Sequence, residues 1–216
     1  MSVKSKQRVT DHGEVFTSER EVNAMLDLVE EETERIDSRF LEPACGDGNF
    51  LIEILRRKLA VIEAQYKKTR LEYERYCVLG VAAIYGVELL EDNVLACRER
   101  LFKCFDEHYS TLFKTEASEE FRNAIRFILS RNILWGDVLT LNTVDGTEAP
   151  IVFSEWSLVE GNKIKRRDYS LAHLLACQPI DGPNLFSDLG AEAFIPKPVA
   201  EFPMVHYLKL AEPANV

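Results

Sequence analysis

No stretch of this chain approaches the roughly 20 consecutive apolar residues needed to cross a bilayer as a helix, so no membrane segment is expected. The N-terminus, MSVKSKQRVTDHGE, lacks the apolar centre of a secretory signal, which points to a cytoplasmic protein. A CxxC pair is missing too. Five cysteines, at 45, 77, 97, 104 and 177, are an odd set in a chain without an export signal, and reduced thiols follow. Cys97 and Cys104 lie seven apart within a helical pattern and can share a face. A metal would want two further ligands, and the 4 histidines do not cluster, so no metal site is expected. Basic charge is also scarce, with 26 Lys and Arg against 36 Asp and Glu for a net charge of -10. Phosphate neutralisation dominates the affinity of proteins that grip nucleic acid, and this chain is underequipped to do so alone. Local clusters exist in KIKRRDY at 163–169 and in Lys4, Lys6 and Arg8, as either a basic patch or solvated loop charge.

The 216 residues, 46% of them hydrophobic, suffice for one domain with a sizeable core and a possible appendage. Residues 40–50 read FLEPACGDGNF. An apolar, strand-like run ends in Glu42, turns through Pro43, Ala44 and Cys45, passes Gly46 and Gly48, and restarts at Phe50 as the helix LIEILRRKL. Glycines in such a loop let a ligand approach bare peptide at a helix N-terminus. A phosphate site would want a Lys or Arg or the GxxxxGK[ST] pattern; Glu42 and Asp47 instead suit a cationic ligand. Read without a function, the same block is a tight turn between a strand and a helix. Cys45 reads as a small residue packed behind the loop, since no His is placed to activate it.

FLEPACGDGNFL resembles motif I of the S-adenosylmethionine-dependent DNA adenine-N6 methyltransferases, roughly [DEN]-P-A-C-G-[ST]-G-x-[FL], departing from it only at Asp47. That resemblance implies an α/β, Rossmann-like methyltransferase fold in which the loop wraps the methionine moiety of S-adenosylmethionine. GEVFTS, at 13–18, is similar to the family's motif X, G-x-[FY]-[FY]-T-P, through Gly13, Phe16 and Thr17, with Ser18 in place of Pro. It opens an amphipathic helix over 18–36, capped by Thr17 or by Ser18 with Glu21 as a capping box. Residues 56–76 prolong the motif I helix or add another. A second strand ends at Glu88, the position at which a Rossmann-like unit binds both ribose hydroxyls, with Leu89 beside it. Its distance from the loop is about twice the usual figure of about 20 residues, so a helical insertion is required. A third helix starts near 117. The strand NILWGDVLTL follows, where the resemblance puts Asp137 on the cofactor's adenine amino group and Leu139 on its face, Trp135 being a strand-end core residue. The implied cofactor set is Phe16, Thr17, Glu42, Pro43, Ala44, Cys45, Gly46, Asp47, Gly48, Phe50, Glu88, Leu89, Asp137 and Leu139.

The family's motif IV, [DNS]-P-P-[YFW], holds the target nitrogen of a flipped base. The 8 prolines stand at 43, 150, 179, 183, 196, 198, 203 and 213, so no two are adjacent and the motif is absent. In its place comes APIVFSEWSLVEGNKIKRRDYSL, a β-rich pair around EGN, where Ser154, Glu155 and Trp156 match no family pattern. Catalytic residues therefore remain unassigned. Residues 177–216 carry most of the prolines and read as an extended arm. The expected organisation is an N-terminal segment with motif X over 1–37, an incomplete Rossmann-like cofactor domain over 38–160, and a basic turn with a Pro-rich tail over 161–216. Such a chain implies a second subunit carrying an NPPY motif, with DNA bound through the complex. The same motifs would also serve a catalytically silent, regulatory or assembly subunit.

Overall fold

The computed structural model describes residues 6–12, 14–15, 17–176 and 196–213, and they form an α/β structure with two small sheets. Three parallel strands, β1 (Phe40–Glu42), β2 (Ile84–Glu88) and β3 (Ile133–Asp137), lie side by side in chain order, and β4 (Asn142–Thr143) closes on β3 antiparallel. Their register sets Glu42 opposite Gly86 and Glu88 opposite Trp135. Parallel strands need long crossovers, and both crossovers here are helical hairpins. The first consists of α4 (Asn49–Tyr66) and α5 (Arg70–Ala82), the second of α6 (Glu91–Phe113) and α7 (Glu119–Asn132). The long spacing between the Gly loop and Glu88 is thus taken up by α5, an added helix that returns the chain to the start of β2.

Preceding β1 are α1 (Lys6–His12), α2 (Glu19–Leu26) and α3 (Glu30–Glu34). Ser18 caps α2 and forms the capping box with Glu21. The single helix expected over 18–36 is instead broken at Asp27–Val29 by a 3-10 turn. Leu28 and Val29 are exposed, and beyond Leu26 only Thr33 is buried within these helices. Without a packed face, little holds regular helix over that acidic span.

Helices α4 to α7 bury one continuous core that includes Leu51, Leu55, Tyr73, Val78, Leu101, Phe105, Phe121 and Ile128. Cys97 and Cys104 are both buried on α6, and no cluster of metal-ligating side chains occurs among the described residues. Nor is any helix among them long and apolar enough to cross a membrane. A second layer is the antiparallel hairpin of β5 (Val152–Leu158) and β6 (Lys163–Ser170), followed by α8 (Leu171–Ala176). Ile151, Phe153 and Leu171 pack against Tyr85, Val87 and Leu134 of the first sheet. Gly136 permits this approach, since a Cβ there would lie 2.8 Å from Ile151 Cδ1.

The C-terminal arm is not an extended tail where it is described. Residues 200–201 and 205–206 form β7 and β8 on β6, and Tyr207 and Leu210 are buried. The buried Glu74 carboxylate accepts from the hydroxyls of both Tyr109 and, at 2.7 Å, Tyr207, tying the arm to α5 and α6. Aromatic anchors, rather than periodicity, decide the placement. A division at residue 160 would fall in the turn of the β5–β6 hairpin, and residues 177–195 of the expected arm lie outside the described residues.

Lys58 is fully buried on α4 and donates to the carbonyls of Arg35, Ile36 and Ser38 at 2.7, 3.0 and 2.8 Å. Three donors meet three acceptors. Burial lowers its pKa to about 8, so the charge is largely retained at pH 7. Lys58→Met would strip its donor from the Ile36 and Ser38 carbonyls behind the entry to β1, while Arg35 O keeps the Ser38 N–H, and a loss of about 2–4 kcal/mol is expected in urea unfolding with an unchanged m value.

Candidate functional site

The three parallel strands all end in a carboxylate at the same edge of the sheet: Glu42 on β1, Glu88 on β2 and Asp137 on β3. From Glu42 the chain turns through residues 43–48, with Cys45 N–H donating to Val87 O at 3.0 Å and Gly48 N–H to Cys45 O at 2.9 Å. Gly46 and Gly48 take positive φ values of 53° and 94°. Gly48 also meets a steric limit, because a Cβ there would sit 2.7 Å from Cys97 Sγ.

Between this loop, the strand ends and the N-terminal segment lies a cleft of about 480 Å³, within the range of small-molecule sites of about 300–1,000 Å³. Its wall includes Thr17, Glu42, Pro43, Ala44, Cys45, Gly46, Asp47, Phe50, Glu88, Leu89, Asp137 and Leu139. Of the sequence-derived set, Gly48 belongs to the loop but not to the wall, and Phe16, with Gly13, lies outside the described residues. Glu14, Val15, Asn49, Leu90, Asn93, Gly136 and Val138 complete the lining. Asn49 sits inside the motif I block. Glu14 and Asn93 carry no motif signal, since only the fold brings residue 93 of α6 to residue 14.

Five lining residues are acidic and none is Lys, Arg or His. An anionic phosphate would meet repulsion there, whereas a cation would be attracted. Burial raises the pKa of Glu42 above the ordinary carboxylate value, opposed by the Ala44 N–H at 3.4 Å. Glu88 is 8% exposed. Its Oε2 accepts from Gly46 N–H at 2.8 Å, and its Oε1 from Leu90 N–H at 3.0 Å and Asn93 Nδ2 at 3.4 Å. A carboxylate oxygen accepts two hydrogen bonds, so Oε2 retains room for one more donor. Asp137 Oδ1 accepts from Leu139 N–H at 2.8 Å, which turns the chain back after β3 and leaves Leu139 90% exposed at the cleft mouth.

Cys45 is not set up as a nucleophile. The neighbouring Cys97 thiol and burial push its pKa far above the ordinary value, so it stays protonated behind the loop. Trp135 donates to Leu89 O at 3.0 Å and packs against the helical core. Ser154, Glu155 and Trp156 all have other partners away from the cleft. Ser154 bonds Asp168 at 2.7 Å, Trp156 bonds Asn132 at 3.0 Å, and Glu155 pairs with Arg39 and Arg167. Three of the four basic residues of the KIKRRDY cluster are likewise engaged in ion pairs. Arg166 is buried against Asp168, while Lys165 and Arg167 pair with Glu201 and Arg167 also with Glu155.

Comparison of the chain with protein-family models, curated proteins and solved structures gave no match in any of the three. The loop geometry makes its own prediction. Gly48→Ala combines a left-handed φ, worth about 1–2 kcal/mol against an L side chain, with the Cys97 contact. It should lower the thermal midpoint, and Cys97→Ala in the same chain should restore the steric part alone.

Proposed function

We propose that this chain is the S-adenosylmethionine-binding portion of an adenine-N6 DNA methyltransferase of a restriction-modification or similar defence system, with the acceptor-holding motif supplied by another polypeptide. It corresponds to an incomplete Rossmann-like methyltransferase fold. The observation that carries this reading is the convergence of the motif I loop, Thr17, Glu88 and Asp137, far apart in sequence, on one acidic cleft without a basic side chain. The donor set fits the cofactor: carboxylates suit its sulfonium and ammonium charges, and bare loop peptide suits close approach. In this assignment Glu42 faces the ligand's amino group, Glu88 the ribose, Asp137 the adenine amino group, and Leu89 and Leu139 the apolar faces. When bound, the cofactor supplies an electrophilic methyl group on sulfur. The chain's own residues bind and orient it, which is where most of the catalytic advantage of such a transfer arises.

Two observations support a second polypeptide. Among the described residues β1 pairs only with β2, and a largely apolar groove of about 280 Å³, lined by Leu41, Tyr85, Phe153 and Leu171 and flanked by Arg39 and Glu155, adjoins it. An unpaired strand edge of this kind accepts a further strand. Three of the four basic residues of KIKRRDY, Lys165, Arg166 and Arg167, are engaged in ion pairs within the chain, in keeping with a DNA grip contributed by the partner.

Titration calorimetry should detect binding of S-adenosylmethionine and its demethylated product. Because the Glu42 pKa is raised, its charge is gained above the ordinary carboxylate range as pH increases. Affinity for the cationic cofactor is therefore expected to climb through that window, and Glu42→Gln should flatten this component of the profile. The purified chain should leave adenine-containing duplex DNA unmodified and methylate it once an NPPY-bearing partner is added. Sequence-specific methylation by the chain alone would refute the split enzyme. Cofactor binding without activity beside any such partner would point to a silent subunit.

A further inference from the structure

We propose that Arg100 is a positioning residue for the cofactor loop, holding Asp47 and Asn49 from α6 without itself lining the cleft. The inference rests on the cofactor assignment above. Asn93, Cys97 and Arg100 are spaced by four and three residues, so they share one face of α6. Each meets a different part of the site. Asn93 donates to Glu14 Oε1 at 2.7 Å and to Glu88 Oε1 at 3.4 Å, and Cys97 fills the space under Gly48. Arg100 Nη1 donates to Asp47 O at 2.7 Å and pairs with Asp47 Oδ2 at 2.7 Å, while Nη2 donates to Asn49 Oδ1 at 3.0 Å. Asn49 in turn donates to Thr17 O at 3.1 Å.

One guanidinium therefore clasps both neighbours of Gly48, the residue whose φ of 94° gives the loop its turn. Gly48 has no side chain with which to hold that conformation, so the restraint comes from outside the loop. Through Asn49 the same fork reaches the N-terminal segment on the opposite wall. An exposed ion pair alone would contribute little. Here, however, the fork also binds a backbone carbonyl and an amide oxygen, a geometry that a Lys ammonium does not reproduce. A loop ordered before the ligand arrives avoids the entropy of ordering it on binding. Asp47, the one departure from the motif I pattern, thus has a structural counterpart outside the motif.

Titration calorimetry with S-adenosylmethionine, alongside hydrogen exchange of the unliganded protein, tests the assignment on wild type, Arg100→Met and Arg100→Lys. Arg100→Met should bind about tenfold or more weakly and exchange its Gly46–Asn49 amides faster, while amides in the middle of α6 keep wild-type protection. Arg100→Lys should recover part of both effects, because one ammonium can still reach Asp47. Wild-type affinity or unchanged loop exchange in Arg100→Met would overturn the inference. So would a loss of protection spread evenly through α6, which would mark a general structural role. A wild-type protein that fails to bind the cofactor would instead remove the cofactor assignment itself, and this inference with it.

Discussion

The contact between the Glu88 carboxylate and the Gly46 N–H holds the site together. It links the end of β2 to the turn after β1 across 42 positions of sequence. The same carboxylate accepts from Leu90 N–H at the start of α6, a helix with no side-chain cap of its own. A buried carboxylate without donors would be costly. With these donors it fixes three elements at once: the loop, the strand end and the entry to the helix. The cleft is the space that this junction leaves above it.

Helix α6 extends that role. Its first turns carry Asn93, Cys97 and Arg100 beneath the cleft, whereas residues farther along, such as Phe105 and Tyr109, belong to the aromatic core with Phe121. The floor of the site is thus continuous with the helical core. The loop, with its two positive-φ glycines, is hydrogen-bonded to that helix through Arg100.

Charge is arranged differently at the strand ends of the first sheet and on the second sheet. Carboxylates gather at the strand ends, and the arginines that do approach them are already engaged: Arg100 with Asp47, and Arg8 with Glu14 and Asp92. On the second sheet Lys165, Arg166 and Arg167 of β6 are matched by Glu201, Asp168 and Glu155. A chain with a net charge of -10 therefore gathers carboxylates at the strand ends, of which Asp47 and Glu14 are matched by arginines, while Lys165, Arg166 and Arg167 of β6 form ion pairs within the second sheet.

Local chemistry made much of this legible in the sequence. Strand, turn and helix at 40–66, the capping box at Ser18, the strand ends at Glu88 and Asp137, and the hairpin around EGN all follow from patterns within about ten residues, because side-chain periodicity, glycine conformation and capping act over that range. The break at Asp27–Val29 and the docking of residues 200–210 were not legible, since each depends on which distant surface is available to pack against. The sequence by itself determined which residues can form an acidic, glycine-turned site. Only the tertiary structure decided that Glu14, Asn93 and Arg100 join them, because their partners are brought near by the fold and not by the chain.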